Sequence, residues 1–176
     1  DIFYLSMYQN NTDASIEEIK QSAGRFVNVF HQGLESNIPA QYHSDLFQYL
    51  LKENQLIESH LNQIKEHLKH SEILKQKEAL IKGFEQCLMF ERKFLKREMI
   101  LFPALENHLP TTKPLEVLWS LHDDARKTLK ELLAILDQDN TNINKLFRLI
   151  GIYYDLIFGI NTKERLILFP VASQIN

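Results

Sequence analysis

Apolar residues recur at intervals of three and four along most of this chain, and few residues interrupt them. Only five glycines and five prolines occur in 176 residues. The β-branched clusters and the Asn-Gly or Asp-Gly turns of an all-β chain are missing. Spacing of this kind is typical of amphipathic helices. The chain is therefore predicted to be all-α.

The apolar stripes and the breaks between them predict five helices. A leading helix at about 15–35 opens with a capping box formed by Ser15 and Glu18. Four longer helices follow, at about 44–70, 71–107, 114–136 and 143–174. Because short loops favour antiparallel neighbours, we expect an antiparallel up-down-up-down four-helix bundle with an extra N-terminal helix.

The length of the chain fits one domain. We assign residues 13–176 to the bundle and residues 1–12 to an N-terminal tail. The chain begins at Asp1, and its first methionine is Met7. The tail is interpreted either as partly vector-derived or as the cut end of something longer.

Charge and composition exclude several kinds of partner. A net charge of −3 gives no basic field for nucleic acid. No apolar run reaches the roughly 18 residues that a membrane span needs. Cys87 is the only cysteine, so neither a disulfide framework nor a cysteine zinc site is expected. A reducing, cytoplasmic location is the simplest interpretation.

The tetrapeptide Ile-Leu-Phe-Pro occurs twice, at residues 100–103 and 167–170. Each copy falls in the last turns of a predicted helix and follows a charged stretch that contains a glutamate. A proline inside a helix removes one backbone hydrogen bond and bends the helix, at a cost of about 3 kcal/mol or more. Two bends at matching places indicate two helical hairpins related by a pseudo-twofold axis. The alternative is coincidence in a leucine-rich helical chain.

Each helix of the predicted bundle carries a polar residue where its apolar stripe should continue. These residues are Asn54, Glu91, Glu98, His122 and Glu164. An unpaired buried carboxylate is costly, so such groups must be paired, protonated or bound to a cation. These polar residues also have a purely structural interpretation. A histidine on an apolar face is usually a hydrogen-bonded core residue, and the glutamates are solvated if the helical phase is off by one residue.

Several sharper motifs do not occur in the sequence. The Glu-x-x-His pattern of ferritin-like di-iron proteins is missing, as are His-x-x-x-His and His-Glu-x-x-His. Nothing resembles a nucleophile–base pair. An enzyme is therefore the least supported class of function.

Four stretches of the chain resemble segments of hemerythrin-like (HHE cation-binding) domains. They read LLKENQLIESHLNQI, FLKREMILFPALENH, VLWSLHDDARKTLKEL and INTKERLILFPVA. The string Trp119, His122, Arg126 and the two Leu-Phe-Pro signatures are the most specific parts. The resemblance implies a non-haem di-iron site between four helices, used to sense O₂, NO or iron or to repair iron–sulfur clusters. In one bacterial branch such domains are often cytoplasmic and attached to sensor modules such as PAS domains.

Most of the ligands that the resemblance implies are replaced in this chain. The replaced positions are Asn54, Lys93, Arg97, Arg126 and Ile160. His122 and Glu164 match, and Glu98 lies one step after a ligand position. Lys93 and Arg97 bring positive charge to the place of the metal. We therefore expect a degraded di-iron site in which Lys93 or Arg97 pairs with Glu98 or Glu164.

The sequence leaves three possible functions for the chain. The first is a sensory or cation-binding domain that retains a reduced site, with non-haem iron held by His122, Glu98 and Glu164 and with Glu91 or His60 recruited. The second is a metal-free helical module for regulation or protein interaction, coupled to a fused or separate signalling module. The third and weakest is a bundle that binds haem through His122.

Overall fold

The computed structural model describes residues 15–36, 44–69, 73–109 and 111–174. These residues form helices and contain no β-strand, which confirms the predicted all-α class. The predicted tail, residues 1–12, lies outside the described residues. None of the helices in the described ranges combines the length and the apolar character needed to cross a membrane.

The helices follow the predicted boundaries to within about two residues. The first two are α1 (Ile16–Ser36) and α2 (Asp45–Leu68). A continuous helical stretch comprises a 3₁₀ turn (Ile73–Gln76), α3 (Lys77–Gln86), a 3₁₀ segment (Cys87–Phe90), α4 (Glu91–Lys96), a π-helical turn (Arg97–Leu101) and α5 (Phe102–Glu106). The chain continues with α6 (Lys113–Leu136), α7 (Ile143–Lys163), a second π-helical turn (Glu164–Leu168) and α8 (Phe169–Ala172).

Helix α1 begins with the predicted capping box and packs against α6. The backbone N–H of Ser15 donates to Oε2 of Glu18 at 2.9 Å, and the N–H of Glu18 donates to Oγ of Ser15 at 3.3 Å. Ile19 and Ala23 then pack with Val117 of α6. One apolar cluster and one cap therefore fix the start of this helix.

Two larger apolar clusters fill the interior. The large cluster includes Leu61, Phe84, Leu132 and Ile157, and the small cluster includes Phe47, Phe102, Leu118 and Phe169. The α2 helix, the stretch from α3 to α5, the α6 helix and the stretch from α7 to α8 each contribute residues to both clusters. The predicted stripes therefore form the core. Polar residues lie where each stretch passes from one cluster to the other.

The two copies of the Ile-Leu-Phe-Pro repeat adopt the same local structure. The N–H of Phe102 donates to the carbonyl of Arg97, and the N–H of Phe169 donates to the carbonyl of Glu164. Both bonds span five residues and define a π-helical turn, a rare element that is frequent at functional sites. The proline of each copy then falls in the first turn of a short α-helix, where its missing N–H is tolerated. Each predicted bend is thus a π-helical turn.

Candidate functional site

A layer of polar side chains lies between the large and the small cluster. Asn54, Glu98, His122 and Glu164 have exposed fractions of 4, 6, 0 and 0%. We call these four residues the polar layer. The structure thus buries four of the five polar residues that interrupt the stripes. Glu91 lies at the edge, with 41% of its side chain exposed.

His122 is fixed by one carboxylate and two aromatic rings. Its Nδ1 lies 2.7 Å from Oε1 of Glu98. Its ring stacks on Phe94 at a centroid distance of 4.2 Å and on Phe102 at 5.8 Å. Arg126, one turn later on α6, donates through Nη2 to both oxygens of Glu98 at 2.9 Å. Glu98 therefore has two partners, and both come from α6.

Burial and these hydrogen bonds together set the proton positions. Burial lowers the pKa of His122 and outweighs the opposing hydrogen bond to Glu98. Burial raises the pKa of Glu98, but hydrogen bonds from His122 and Arg126 outweigh it and leave the pKa lowered. The imidazole is then neutral and the carboxylate ionised. Because an ionised carboxylate only accepts hydrogen bonds, Nδ1 of His122 carries the proton and Nε2 presents a lone pair.

Glu164, on the second π-helical turn, is paired with two buried cations. Nε of Arg97 lies 3.4 Å from Oε1, and Nζ of Lys93 lies 3.1 Å from Oε2. Lys93 also donates to Oδ1 of Asn161 at 2.7 Å. Burial raises the pKa of Glu164, but the attraction of Lys93 and Arg97 outweighs it and keeps that pKa below its usual value. Burial lowers the pKa of Lys93 despite its acidic partner.

Glu53 of α2 extends this pairing toward the surface. Nη1 of Arg97 donates to Oε2 of Glu53 at 2.9 Å, and Lys96 pairs with the other oxygen. The side chain of Arg97 is 0% exposed and that of Glu53 is 16% exposed. The guanidinium therefore bridges carboxylates from two different helices. We call the set Glu53, Lys93, Lys96, Arg97, Glu98, Arg126 and Glu164 the ion-pair network.

Four buried polar atoms of the polar layer have no hydrogen-bond partner among the described residues. They are Nε2 of His122, Oε2 of Glu164 and both amide atoms of Asn54. Oε2 of Glu164 is close to Lys93, but the two groups form an ion pair without the geometry of a hydrogen bond. Buried polar groups without a partner often contact ordered water. These four atoms are therefore the ones in the layer that could accept a further hydrogen bond or bind a ligand.

The expected pairing of Lys93 or Arg97 with Glu98 or Glu164 is found at Glu164, and Glu98 has other partners. Glu164 contacts Lys93 and Arg97 as expected, whereas Glu98 pairs with His122 and Arg126. Both Glu98 contacts come from α6.

Two members of the surrounding shell were not predicted. Glu53 was missed because it flanks the apolar stripe of α2 and does not interrupt it. Asn161 was missed for the same reason on α7, although its side chain contacts both Lys93 and Glu58. The signal that could have found both is a polar residue close to an interrupting one, because Glu53 directly precedes Asn54 and Asn161 lies one helical turn before Glu164.

The two residues named as recruits have other partners. Glu91 accepts two hydrogen bonds from Nε of Arg126, at 3.1 and 2.9 Å. Nε2 of His60 lies 2.8 Å from the carbonyl oxygen of Gly83. Within the described ranges, no group of three or more histidine, cysteine, aspartate and glutamate side chains is arranged to hold a metal ion.

Comparison with known proteins identifies the family. The family described as hemerythrin HHE cation binding domain matches residues 45–172. No curated protein and no solved structure matches the chain. The matched range begins at α2, ends with α8 and contains the whole polar layer and the ion-pair network. The chain therefore belongs to the hemerythrin HHE cation-binding domain family.

Proposed function

We propose that this chain is a helical regulatory domain in which the ion-pair network takes the place of the di-iron cluster. Membership of the family indicates a helical domain of a metal-binding kind. The observation that carries the proposal is the pairing of Glu164 with Lys93 and Arg97, together with the pairing of Glu98 with Arg126.

The residues of the polar layer do not fit a di-iron cluster. Such a cluster takes several imidazoles, and the layer contains one, His122. Lys93 and Arg97 bring two cationic side chains to the carboxylate that would bind the metal. Two like charges 4 Å apart repel by about 4 kcal/mol at an effective dielectric constant of 20. The polar layer therefore differs from a di-iron site both in its charge and in the number of its possible ligands.

The network satisfies its own carboxylates without a further cation. Glu53, Glu98 and Glu164 face four cationic side chains, Lys93, Lys96, Arg97 and Arg126. Removing one partner of a buried ion pair costs about 3–5 kcal/mol, because the remaining charge is left uncompensated. Complete pairing is therefore what a stable metal-free core requires.

The order of the clusters along the chain supports an antiparallel up-down-up-down bundle. Helix α2 runs from the small cluster to the large one, and α6 does the same. The stretches from α3 to α5 and from α7 to α8 run from the large cluster to the small one. Direction thus alternates along the chain. This topology brings the four residues of the polar layer to one level between the helices.

An exposed apolar surface supports a role in protein interaction. Leu95 lies just before the first π-helical turn, Met99 and Ile100 lie within it, and their exposed fractions are 45, 70 and 68%. Clustered apolar side chains at a surface are a feature of sites that bind proteins. A fused or separate signalling module is the partner that we propose for this surface.

A reduced cation site is the second candidate function. It is favoured by the partnerless atoms of the polar layer. A single Fe(II) or Zn(II) would take Nε2 of His122 and Oε2 of Glu164, with the amide oxygen of Asn54 as a third donor. Glu98 is a weaker candidate than Asn54, because His122 and Arg126 occupy its oxygens. Sensing of O₂, NO or iron belongs to this candidate.

The haem alternative has no comparable support. Phe94 and Phe102 both stack on the imidazole of His122, and that side chain is 0% exposed. A haem would have to displace one of these rings from the core.

Metal analysis of the purified chain separates the two leading candidates. The protein is expressed in medium supplied with iron and zinc, and its metal content, absorption spectrum and melting temperature are measured with and without a chelator. We expect only trace metal and the same melting temperature in the chelator. A stoichiometric metal content that the chelator removes, with a fall in the melting temperature, would contradict the metal-free proposal and support the reduced cation site.

A further inference from the structure

We propose that a cleft between α2 and the facing 3₁₀ segment and α4 binds a small aromatic carboxylate. The cleft has a volume of about 530 Å³, which is within the range of small-molecule sites. It is separate from the partnerless atoms of the polar layer. The inference therefore does not depend on whether the domain binds a metal.

The walls of the cleft are apolar and aromatic. Helix α2 contributes Tyr49 and Leu56, which are 55 and 63% exposed. The facing segment contributes Met89, which is 65% exposed, and Phe90, whose ring meets that of His60 edge-on at 5.7 Å. Phe90 and Met89 belong to the 3₁₀ segment that interrupts the long helical stretch. Such an interruption within a long helix often marks a functional hinge or a sequence under strain.

The charges of the cleft select an anion. Arg92, Lys93 and Lys96 line it, against one carboxylate, Glu53. Both oxygens of Glu53 are already engaged, by Lys96 and Arg97. When the groups bonded to the lining are included, four cations (Arg92, Lys93, Lys96 and Arg97) face three carboxylates (Glu53, Glu58 and Glu164). Cationic side chains therefore outnumber carboxylates both in the lining itself and in the larger set that includes the bonded groups.

Arg92 is the residue that we expect to hold the carboxylate. Its side chain is exposed and makes no ion pair or hydrogen bond with any described residue, whereas Lys93 and Lys96 each have an acidic partner. A guanidinium binds a carboxylate through two parallel hydrogen bonds, which fixes the orientation of the ligand. The ring would then lie between Leu56 and Phe90, where aromatic and aliphatic contacts are available. Lys93 links this cleft to Glu164, so a bound anion would touch the ion-pair network.

Methionine methyl groups provide a reporter within the protein. The chain has three methionines; Met89 lines the cleft, whereas Met99 is 70% exposed and is not part of its lining. The full chain, labelled at the methionine methyl carbons and kept in a chelator, is titrated with naphthylacetate and with the neutral naphthylacetamide. We expect the Met89 signal to shift in a saturable manner with the acid while Met99 stays unchanged. The amide should bind about tenfold more weakly or worse, because it lacks the charge.

Three surface variants sharpen the test. Arg92→Gln removes the guanidinium, and Leu56→Glu places a negative charge at the exposed wall. Each should weaken naphthylacetate binding about tenfold without a change in melting temperature. Arg148→Gln, an exposed arginine of α7 outside the cleft, is the matched control and should bind as the wild type does.

Three results would overturn the inference: no Met89 shift at low-millimolar naphthylacetate, equal affinity for acid and amide, or wild-type affinity in Arg92→Gln. None of them bears on the metal-free proposal, because the titration is done in a chelator. A stoichiometric metal content would in turn contradict that proposal and leave the cleft inference standing.

Discussion

Arg97 and Glu164, 67 residues apart, each lie three residues before a copy of the Ile-Leu-Phe-Pro repeat, and their side chains pair with each other in the interior. Each residue opens a π-helical turn. Two carboxylates at these equivalent positions would repel each other unless a cation lay between them. Opposite charges at the two positions remove that requirement. The guanidinium of Arg97 thus supplies the positive charge that a metal would otherwise supply.

Removal of this guanidinium should strongly destabilise the fold. Arg97→Met leaves Glu164 with Lys93 alone and Glu53 with Lys96 alone, and the side chain of Glu164 is fully buried. We expect the free energy of unfolding to fall by about 3–5 kcal/mol, the typical loss when one partner of a buried pair is removed. Urea denaturation with an unchanged m-value would measure this loss.

Arg165→Met is the matched control for this prediction. Arg165 is the next residue after Glu164, but its contact with Glu35, at 2.7 Å, is an exposed one. Exposed pairs contribute about 0–1 kcal/mol, so this variant should remain close to the wild type. The triple variant Lys93→Met/Arg97→Met/Glu164→Met removes the buried charges together, so none is left uncompensated, and it should recover much of the loss. Equal losses for Arg97→Met and Arg165→Met would contradict the role assigned to Arg97.

The sequence contained enough to predict the direction of the buried polar side chains. Asn54 and His122 each interrupt an apolar stripe, so helical periodicity alone turns them inward. Periodicity also turns Glu98 inward, but it does not predict the burial of Arg97, its neighbour in the sequence. Both residues lie in the first π-helical turn, where the α-helical spacing of side chains no longer holds. A proline five or six residues later indicates a disturbed helix but not the kind of turn that results.

The pairing of Glu98 could not be predicted from its own helix. Its partners, His122 and Arg126, come from α6, and their reach depends on side-chain rotamers and on the distance between helices. Closer cations on the same stretch, such as Lys93, are bound to Glu164 instead. Sequence periodicity gives the face of a helix on which a residue lies. It does not decide between two cations that both lie within reach.

Placing metal-binding side chains at positions 93 and 97 should make the stability of the fold depend on a bound metal ion. The variant Lys93→His/Arg97→Glu makes the interior three charge units more negative and supplies one imidazole and one carboxylate. We expect it to be poorly folded in a chelator and to gain melting temperature with Fe(II) or Zn(II), because a ligand that binds only the native state stabilises it. The wild type should show no such gain.

The control for the metal dependence carries the same charge change on the surface. Lys127→His/Arg148→Glu alters two exposed residues of α6 and α7. It should melt close to the wild type with or without metal. A wild-type protein that gains as much from Fe(II) as the Lys93→His/Arg97→Glu variant would be evidence against the proposed replacement of the metal.

The network should make the domain sensitive to acid. Burial raises the pKa values of Glu53, Glu98 and Glu164, but their cationic and hydrogen-bonding partners outweigh it and leave each below the ordinary value of 4.5. When the pKa of a carboxyl is lower in the folded state than in the unfolded state, the carboxyl stabilises the fold fully at pH values above its unfolded pKa. This stabilisation is lost as the pH falls through the folded pKa. The free energy of unfolding should therefore decline steadily below about pH 4.5.

Glu98→Gln isolates one part of this acid sensitivity. The amide keeps an acceptor for the Nδ1–H of His122 but cannot titrate. Urea denaturation at a series of pH values should show a shallower decline for this variant than for the wild type. Glu85→Gln, at an exposed position of α3, should keep the wild-type slope. The same slope in Glu98→Gln and in the wild type would show that Glu98 is not held ionised in the folded state.

Asn54→Leu should stabilise the metal-free domain. Asn54 is 4% exposed, and neither of its amide atoms has a hydrogen-bond partner among the described residues. An unsatisfied buried polar group costs about 1–3 kcal/mol, and leucine has a similar shape and would continue the stripe between Leu50 and Ile57. We expect a gain in the free energy of unfolding of about that size, measured in a chelator.

Asn62→Leu, at an exposed position of the same helix, is the control and should change stability by no more than about 0.5 kcal/mol. A loss of stability in Asn54→Leu would mean that the amide binds an ordered water that the core needs. A loss that appears only with added metal would instead identify Asn54 as a ligand of the reduced cation site.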